Sequence, residues 1–169
     1  LSQRSIINKF ENKLKIYFKA KNAAAVSSGT AALYLTALAM NWKKNDLIVT
    51  TPNTFLASAN SILHSGATPL FVDISMDDYN IDLNKLEYTL RRYNSRAKKI
   101  KALIAVDYAG NPCDWKSLRY LADKFKIKLI NDNCHALGAK YQNNKHYAIK
   151  YADVITQSFH PLKNITTGE

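Results

Sequence analysis

Apolar positions along the chain switch between two periods, one helical and one of short continuous runs. Ile6, Ile7, Phe10, Leu14, Ile16, Tyr17 and Phe18 recur near helical spacing. They predict an amphipathic helix over residues 4–18, with Lys9, Glu11, Lys13 and Lys15 facing water. Residues 23–26 read as a short buried strand, and 27–30 as a turn into an Ala- and Leu-rich helix over 31–40. The next strand is 47–51, broken by Pro52 and Asn53. Thr54 then caps a helix of small residues that runs to about His64 and ends at Ser65-Gly66. A strand over 69–74 leads into a polar loop over 73–80. Asp82 caps a helix over 83–92, and a basic loop follows. A strand over 102–106, a turn at Asn111-Pro112 and a helix over 115–125 capped by Asp114 come next. Strands over 128–131 and 153–157 complete the elements.

Strands alternate with helices, and the strands are apolar runs rather than apolar-polar alternations. That is the signature of an α/β fold with a mostly parallel sheet covered by helices on both faces. Ligands of such sheets bind outside the carboxyl ends of the strands. Thr30, Thr51, Asp107, Asp132 and Ser158 all fall at or just after expected strand ends, so these polar groups are expected on one rim. No internal repeat, low-complexity segment or linker interrupts the 169 residues, a length suited to one domain.

Composition narrows the picture. Hydrophobic residues at 47% and charged residues at 22% suit a globular domain. No apolar run reaches the roughly 18 residues of a membrane span and no leader pattern opens the chain, so the expectation is a cytoplasmic protein with no membrane partner. Cys113 and Cys134 show neither metal nor redox spacing and are expected as reduced thiols in or near the core. A net charge of +11 invites a nucleic-acid surface. The lysines are scattered, however, and no arginine-rich helix or base-stacking motif accompanies them. The excess reads as a Lys-, Asn-, Ile- and Tyr-rich bias whose positive field favours a phosphorylated substrate.

The fingerprints of dinucleotide binding, P-loops, serine hydrolases and zinc proteases are missing. Three features remain. Ser28-Gly29-Thr30 opens a helix, where amides and a hydroxyl can bind a phosphate or simply form an N-cap. Asp132 ends the apolar run Leu129-Ile130-Asn131, and a carboxylate there needs a partner. A pyridinium nitrogen is one; a helix cap or a lysine is another. Lys163 follows Pro161 in a loop. Alone it reads as a surface lysine, but Ser158 lies five positions earlier, and Phe55 follows a strand end where it could stack on a flat ring. An amine, a carboxylate and a phosphate-sized turn together suit pyridoxal 5′-phosphate (PLP).

Five ordered blocks carry a resemblance to the DegT/DnrJ/EryC1/StrS family of PLP-dependent sugar aminotransferases. They are Ala25-Val26-Ser27-Ser28-Gly29-Thr30-Ala31-Ala32-Leu33, Thr51-Pro52-Asn53-Thr54-Phe55, the run from Gly66-Ala67-Thr68 to Val72-Asp73-Ile74, Asp132-Asn133-Cys134-His135-Ala136-Leu137-Gly138-Ala139, and Ser158-Phe159-His160-Pro161-Leu162-Lys163. The resemblance covers nearly the whole chain. It implies fold type I of the PLP-dependent transferases. Lys163 would form the Schiff base and then serve as general base and acid, with a lowered pKa. Asp132 would pair with the pyridine nitrogen, and His135 would sit beside the ring hydroxyl. Ser28, Gly29, Thr30 and Ser158 would surround the phosphate, and Phe55 would stack on the ring. Val106-Asp107-Tyr108-Ala109-Gly110-Asn111-Pro112-Cys113-Asp114 and the run from Phe159 to Glu169 are most similar to the pseudaminic-acid branch. That branch implies L-glutamate as amino donor and C4 of a UDP-linked 4-keto-6-deoxy-N-acetylhexosamine as acceptor. Family members are homodimers about twice this length. The resemblance therefore implies that residues 1–169 are part of the cofactor-binding large domain, without the smaller C-terminal domain. Two other readings stand beside an aminotransferase: a truncated, non-catalytic relative, and a basic nucleic-acid-binding α/β domain.

Overall fold

The computed structural model describes residues 2–93 and 99–167. Gly168 and Glu169 of the last quoted run, and much of the expected basic loop, lie outside them. Five parallel strands form one sheet in the order β2-β1-β3-β4-β5, with β1 Leu47–Thr50, β2 Thr68–Phe71, β3 Ile100–Val106, β4 Lys128–Asp132 and β5 Val154–Thr156. The helices are α1 Ser2–Phe18, α2 Gly29–Ala39, α3 Leu56–His64, α4 Leu83–Tyr93, α5 Trp115–Phe125 and α6 Tyr147–Tyr151.

Alternation along each strand divides the core in two. Ile48, Ala102, Ile104 and Ile130 pack under Leu33 and Ala37 of α2 and Ala57 and Ile62 of α3. Val49, Leu103, Ala105 and Leu129 pack under Leu86 and Leu90 of α4, Trp115 and Leu118 of α5 and Tyr147 of α6. Because side chains alternate, this parity also sends the polar groups at the strand ends to opposite faces. The register aligns those ends, with Val106 beside Asp132 and Asp132 beside Thr156. Strand order reverses between β1 and β3, the arrangement that opens a crevice at the carboxyl edge.

Several expectations change. Residues 23–26 are not a strand and not buried. Among the described residues β5 pairs only with β4, so this segment has no ladder to join. Instead, Ala25 N–H donates to Glu11 Oε1 at 2.8 Å. Glu11 thus turns inward rather than to water. Only Phe10, Leu14 and Phe18 of the apolar set in α1 point inward, while Ile6 and Ile16 stay 66% and 78% exposed. Thr54 does not cap α3: Phe55 holds the N-cap position and makes no capping side-chain bond. Asp82 and Asp114 cap as expected, the first accepting Asn84 and Lys85 N–H, the second Ser117 N–H. α6 was not expected from the pattern, because five residues are too few to display a helical period.

Candidate active site

β4 delivers Asp132 to the carboxyl edge on the same face as Ile130, beneath α2 and α3. There it is 5% exposed. Its Oδ2 accepts from Ser58 Oγ at 2.7 Å and its Oδ1 from Cys134 N–H at 3.4 Å, with the Cys134 thiol beside the same carboxylate. Oδ1, with one long amide contact, therefore keeps acceptor capacity, and Asp132 lines the cleft. His135 and Cys134 follow directly. Burial, then the nearby Lys163 charge, hold the His135 imidazole below its ordinary pKa, against the opposing pull of Asp132. Burial, then Asp132, push the Cys134 thiol up, so it stays protonated.

Above them stands the N-terminus of α2. Ser28 caps it: its Oγ accepts Ala31 N–H at 3.1 Å, and its carbonyl accepts Ala32 N–H. The amides of Gly29 and Thr30, in the first turn, have no intrahelical partner and remain as donors. Gly29 is needed for the close approach. A Cβ there would lie 3.0 Å from Ser158 Cβ and 3.1 Å from Cys134 Sγ. This contact places Ser158, the second residue after β5, against the free amides. The loop beyond it carries Lys163, whose Nζ makes no ion pair among the described residues. Lys163 N–H donates to the His160 carbonyl, and Phe159 packs edge-on against Phe10 of α1 at 5.1 Å. Phe55, 70% exposed, stands at the cleft lip at the start of α3.

Ser28, Gly29, Thr30, Phe55, Asp132, His135, Ser158 and Lys163 thus all line one open cleft of about 1970 Å³. Two of the expected rim residues do not. Thr51 is buried away from it. Asp107, at the opposite parity from Asp132, turns under α5 and α6. There its Oδ1 accepts Cys113 N–H and Trp115 Nε1–H, and its Oδ2 accepts Asn131 and Asn133 Nδ2–H and Tyr147 Oη–H. Burial raises its pKa, and the donors, Cys113 N–H foremost, pull the other way. Asp107 is a structural anchor: Asn133 also accepts from Gln157 Nε2, one residue before Ser158. Ser58 was missed in the sequence, where it reads as one more small residue in a helix. Both thiols are unpaired as expected, with Cys113 buried.

The donor set fits PLP. Two open amides and nearby hydroxyls suit a phosphate, a carboxylate with a spare oxygen suits a ring N–H, an amine suits an aldehyde, and an exposed phenyl face suits a flat ring.

Comparison with known proteins places this geometry. Residues 1–169 match the DegT/DnrJ/EryC1/StrS aminotransferase family. A UDP-4-amino-4,6-dideoxy-N-acetyl-beta-L-altrosamine transaminase of Campylobacter jejuni is 41% identical over 163 residues, which are 96% of this chain and 42% of that protein. The solved structure of Helicobacter pylori PseC, an aminotransferase of pseudaminic acid biosynthesis, superimposes with a TM-score of 0.82 at 35% identity, covering 96% of this chain and 42% of that one. NtdA of Bacillus subtilis, solved with bound cofactor PMP, gives a TM-score of 0.83 at 31% identity over 95% of this chain and 34% of that one. This chain spans about two fifths of the length of the curated relatives it matches. The expected fold is borne out: a parallel sheet with helices on both faces, shared with PLP-dependent aminotransferases.

Proposed function

We infer the reaction from the premise that this chain belongs to the DegT/DnrJ/EryC1/StrS aminotransferase family. The protein that carries it transfers an amino group from L-glutamate to the C4 carbonyl of a UDP-linked 4-keto-6-deoxy-N-acetylhexosamine, in the manner of the pseudaminic-acid transaminases it resembles. Residues 1–169 are part of its cofactor-binding large domain. The observation that carries the reading is the convergence of Lys163, Asp132, Ser158 and the α2 N-terminus on one cleft.

When bound, PLP supplies an electron sink that takes up and releases the amino group. The Gly29 and Thr30 amides, with the Ser28, Thr30 and Ser158 hydroxyls, would hold its phosphate at the positive end of α2. Asp132 would accept the ring N–H and so keep that nitrogen protonated. Phe55 would cover a ring face, and His135 would lie beside the ring hydroxyl. Lys163 Nζ is the group that would move the proton, from the donor's α-carbon to the carbon on the other side of the transferred nitrogen. The second half-reaction reverses these steps with the ketosugar.

An exposed apolar face on the two site helices, Tyr34, Leu35 and Leu38 of α2 with Leu56 and Leu63 of α3, supports a homodimer that covers it. No described helix is long and apolar enough to cross a membrane, and a cytoplasmic location belongs to the same reading.

Borohydride reduction of the full-length protein with PLP, followed by peptide mass spectrometry, tests the assignment. Labelling confined to Lys163 and lost in Asp132→Ala is expected. Labels scattered over many lysines would overturn it.

A further inference from the structure

A pair of hydroxyls behind Asp132 has no part in the reaction just described. Ser58 is fully buried in α3, among Ala57, Ala59 and Ile62. A hydroxyl in such surroundings costs stability unless it is bonded. Its Oγ has two side-chain partners: Asp132 Oδ2 at 2.7 Å and Thr54 Oγ1 at 2.8 Å. Proton counting orients the chain. An ionised carboxylate only accepts, and Ser58 has one hydroxyl proton. Ser58 therefore donates to Asp132, and Thr54 donates to Ser58. Each bond polarises the next in the same direction, toward the carboxylate.

The two carboxylate oxygens are consequently unequal. Oδ2 is fixed by a short bond from a residue that cannot move without disturbing α3. Oδ1 has a long contact from the Cys134 amide at 3.4 Å, and the residue lines the cleft. The element that anchors the carboxylate is also the one that begins with Phe55, and Ser58 N–H donates to the Phe55 carbonyl at 3.1 Å. The first turn of α3 thus couples the aromatic lip of the cleft to the orientation of its carboxylate.

We propose that Ser58, backed by Thr54, is a positioning residue that fixes Asp132 Oδ2 and so presents Oδ1 as the acceptor for the cofactor's ring nitrogen. The assignment rests on the PLP reading of the cleft. Ser58 would not touch the cofactor; it acts by holding the Asp132 carboxylate in one rotamer.

The test compares full-length wild type, Ser58→Ala, Ser58→Thr, Thr54→Val and Asp132→Ala. The readouts are the PLP dissociation constant of the apo-protein, by fluorescence quenching, and the pH titration of the cofactor absorbance band. Ser58→Ala is expected to weaken PLP binding about tenfold, as fits a lost hydrogen bond to a charged group, and to shift the band titration. Thr54→Val is expected to give the same changes at about threefold. Ser58→Thr, which keeps the hydroxyl, is expected to match wild type, and Asp132→Ala to lose binding. A Ser58→Ala protein with the wild-type constant and titration overturns the proposal. So does equal impairment of Ser58→Ala and Ser58→Thr, which would make the serine a space-filler. If Ser58→Ala does not fold, Thr54→Val at its half-buried position decides by the same criteria. Failure of the wild type itself to take up PLP is a separate result, which removes the cofactor reading and this proposal with it.

Discussion

His135 lies where opposing charges meet, with Lys163 on one side and Asp132 on the other. Burial and the lysine prevail, and its pKa falls below 6.5. The folded state then binds fewer protons than the unfolded state as the pH drops through that value. The stability that neutral His135 contributes is present above about 6.5 and is lost as pH falls through the folded pKa. Urea unfolding of apo wild type and His135→Gln between pH 7.5 and 5 is expected to show this. The wild type loses stability relative to the variant on the acid side, and parallel curves would contradict it. Single residues of the site were legible to different degrees. Asp132, His135 and Lys163 were singled out by the runs that carry the family resemblance, and all three line the cleft. Ser58 was not, because its role depends on a hydroxyl reaching a carboxylate 74 positions away. Asp107 looked equivalent to Asp132 at a strand end, but parity turned it to the other face.

At the scale of elements, α1 shows how packing overrides periodicity. Seven apolar residues predicted a broad inward face, yet only Phe10, Leu14 and Phe18 turn inward. The chain around the cleft offers α1 a narrow contact rather than a layer of sheet. Its firmest anchor is the edge-on pair Phe10–Phe159, which ties α1 to the start of the lysine loop. Such a pair is worth about 1 kcal/mol beyond its buried area. Phe10→Ala in the full-length protein should therefore speed amide hydrogen exchange across residues 158–163 while leaving β3 and β4 protected. Unchanged exchange in the loop would mean that α1 does not restrain Lys163. The segment 23–26 makes the same point. Its Ala-Ala-Ala-Val composition suits a strand, but a strand needs a neighbour, and Glu11 provides the bond that a ladder would have given.

Across the whole molecule, two cores share one sheet, and the cleft lies at the edge of only one of them. The α4–α5–α6 side supports the site from beneath through Asp107, Asn133 and Gln157. Leu118 is fully buried on that side. Leu118→Ala should cost about 2–5 kcal/mol of unfolding free energy, read as a lower urea midpoint. Tyr120→Ala, on the same helix but 63% exposed, should stay within about 0.5 kcal/mol. Equal effects would mean that α5 does not pack as described. Local pattern alone gave the α/β class, the mostly parallel sheet, the two aspartate caps and Asp132 at a carboxyl strand end. These follow from local periodicity, capping chemistry and short runs, all of which act over a few residues. The face each strand-end residue takes, the serine that holds Asp132, and the close approach of α2 to Ser158 at Gly29 emerge only in the folded chain. Those depend on register and on contacts between segments far apart in the chain, and no local pattern encodes such distances.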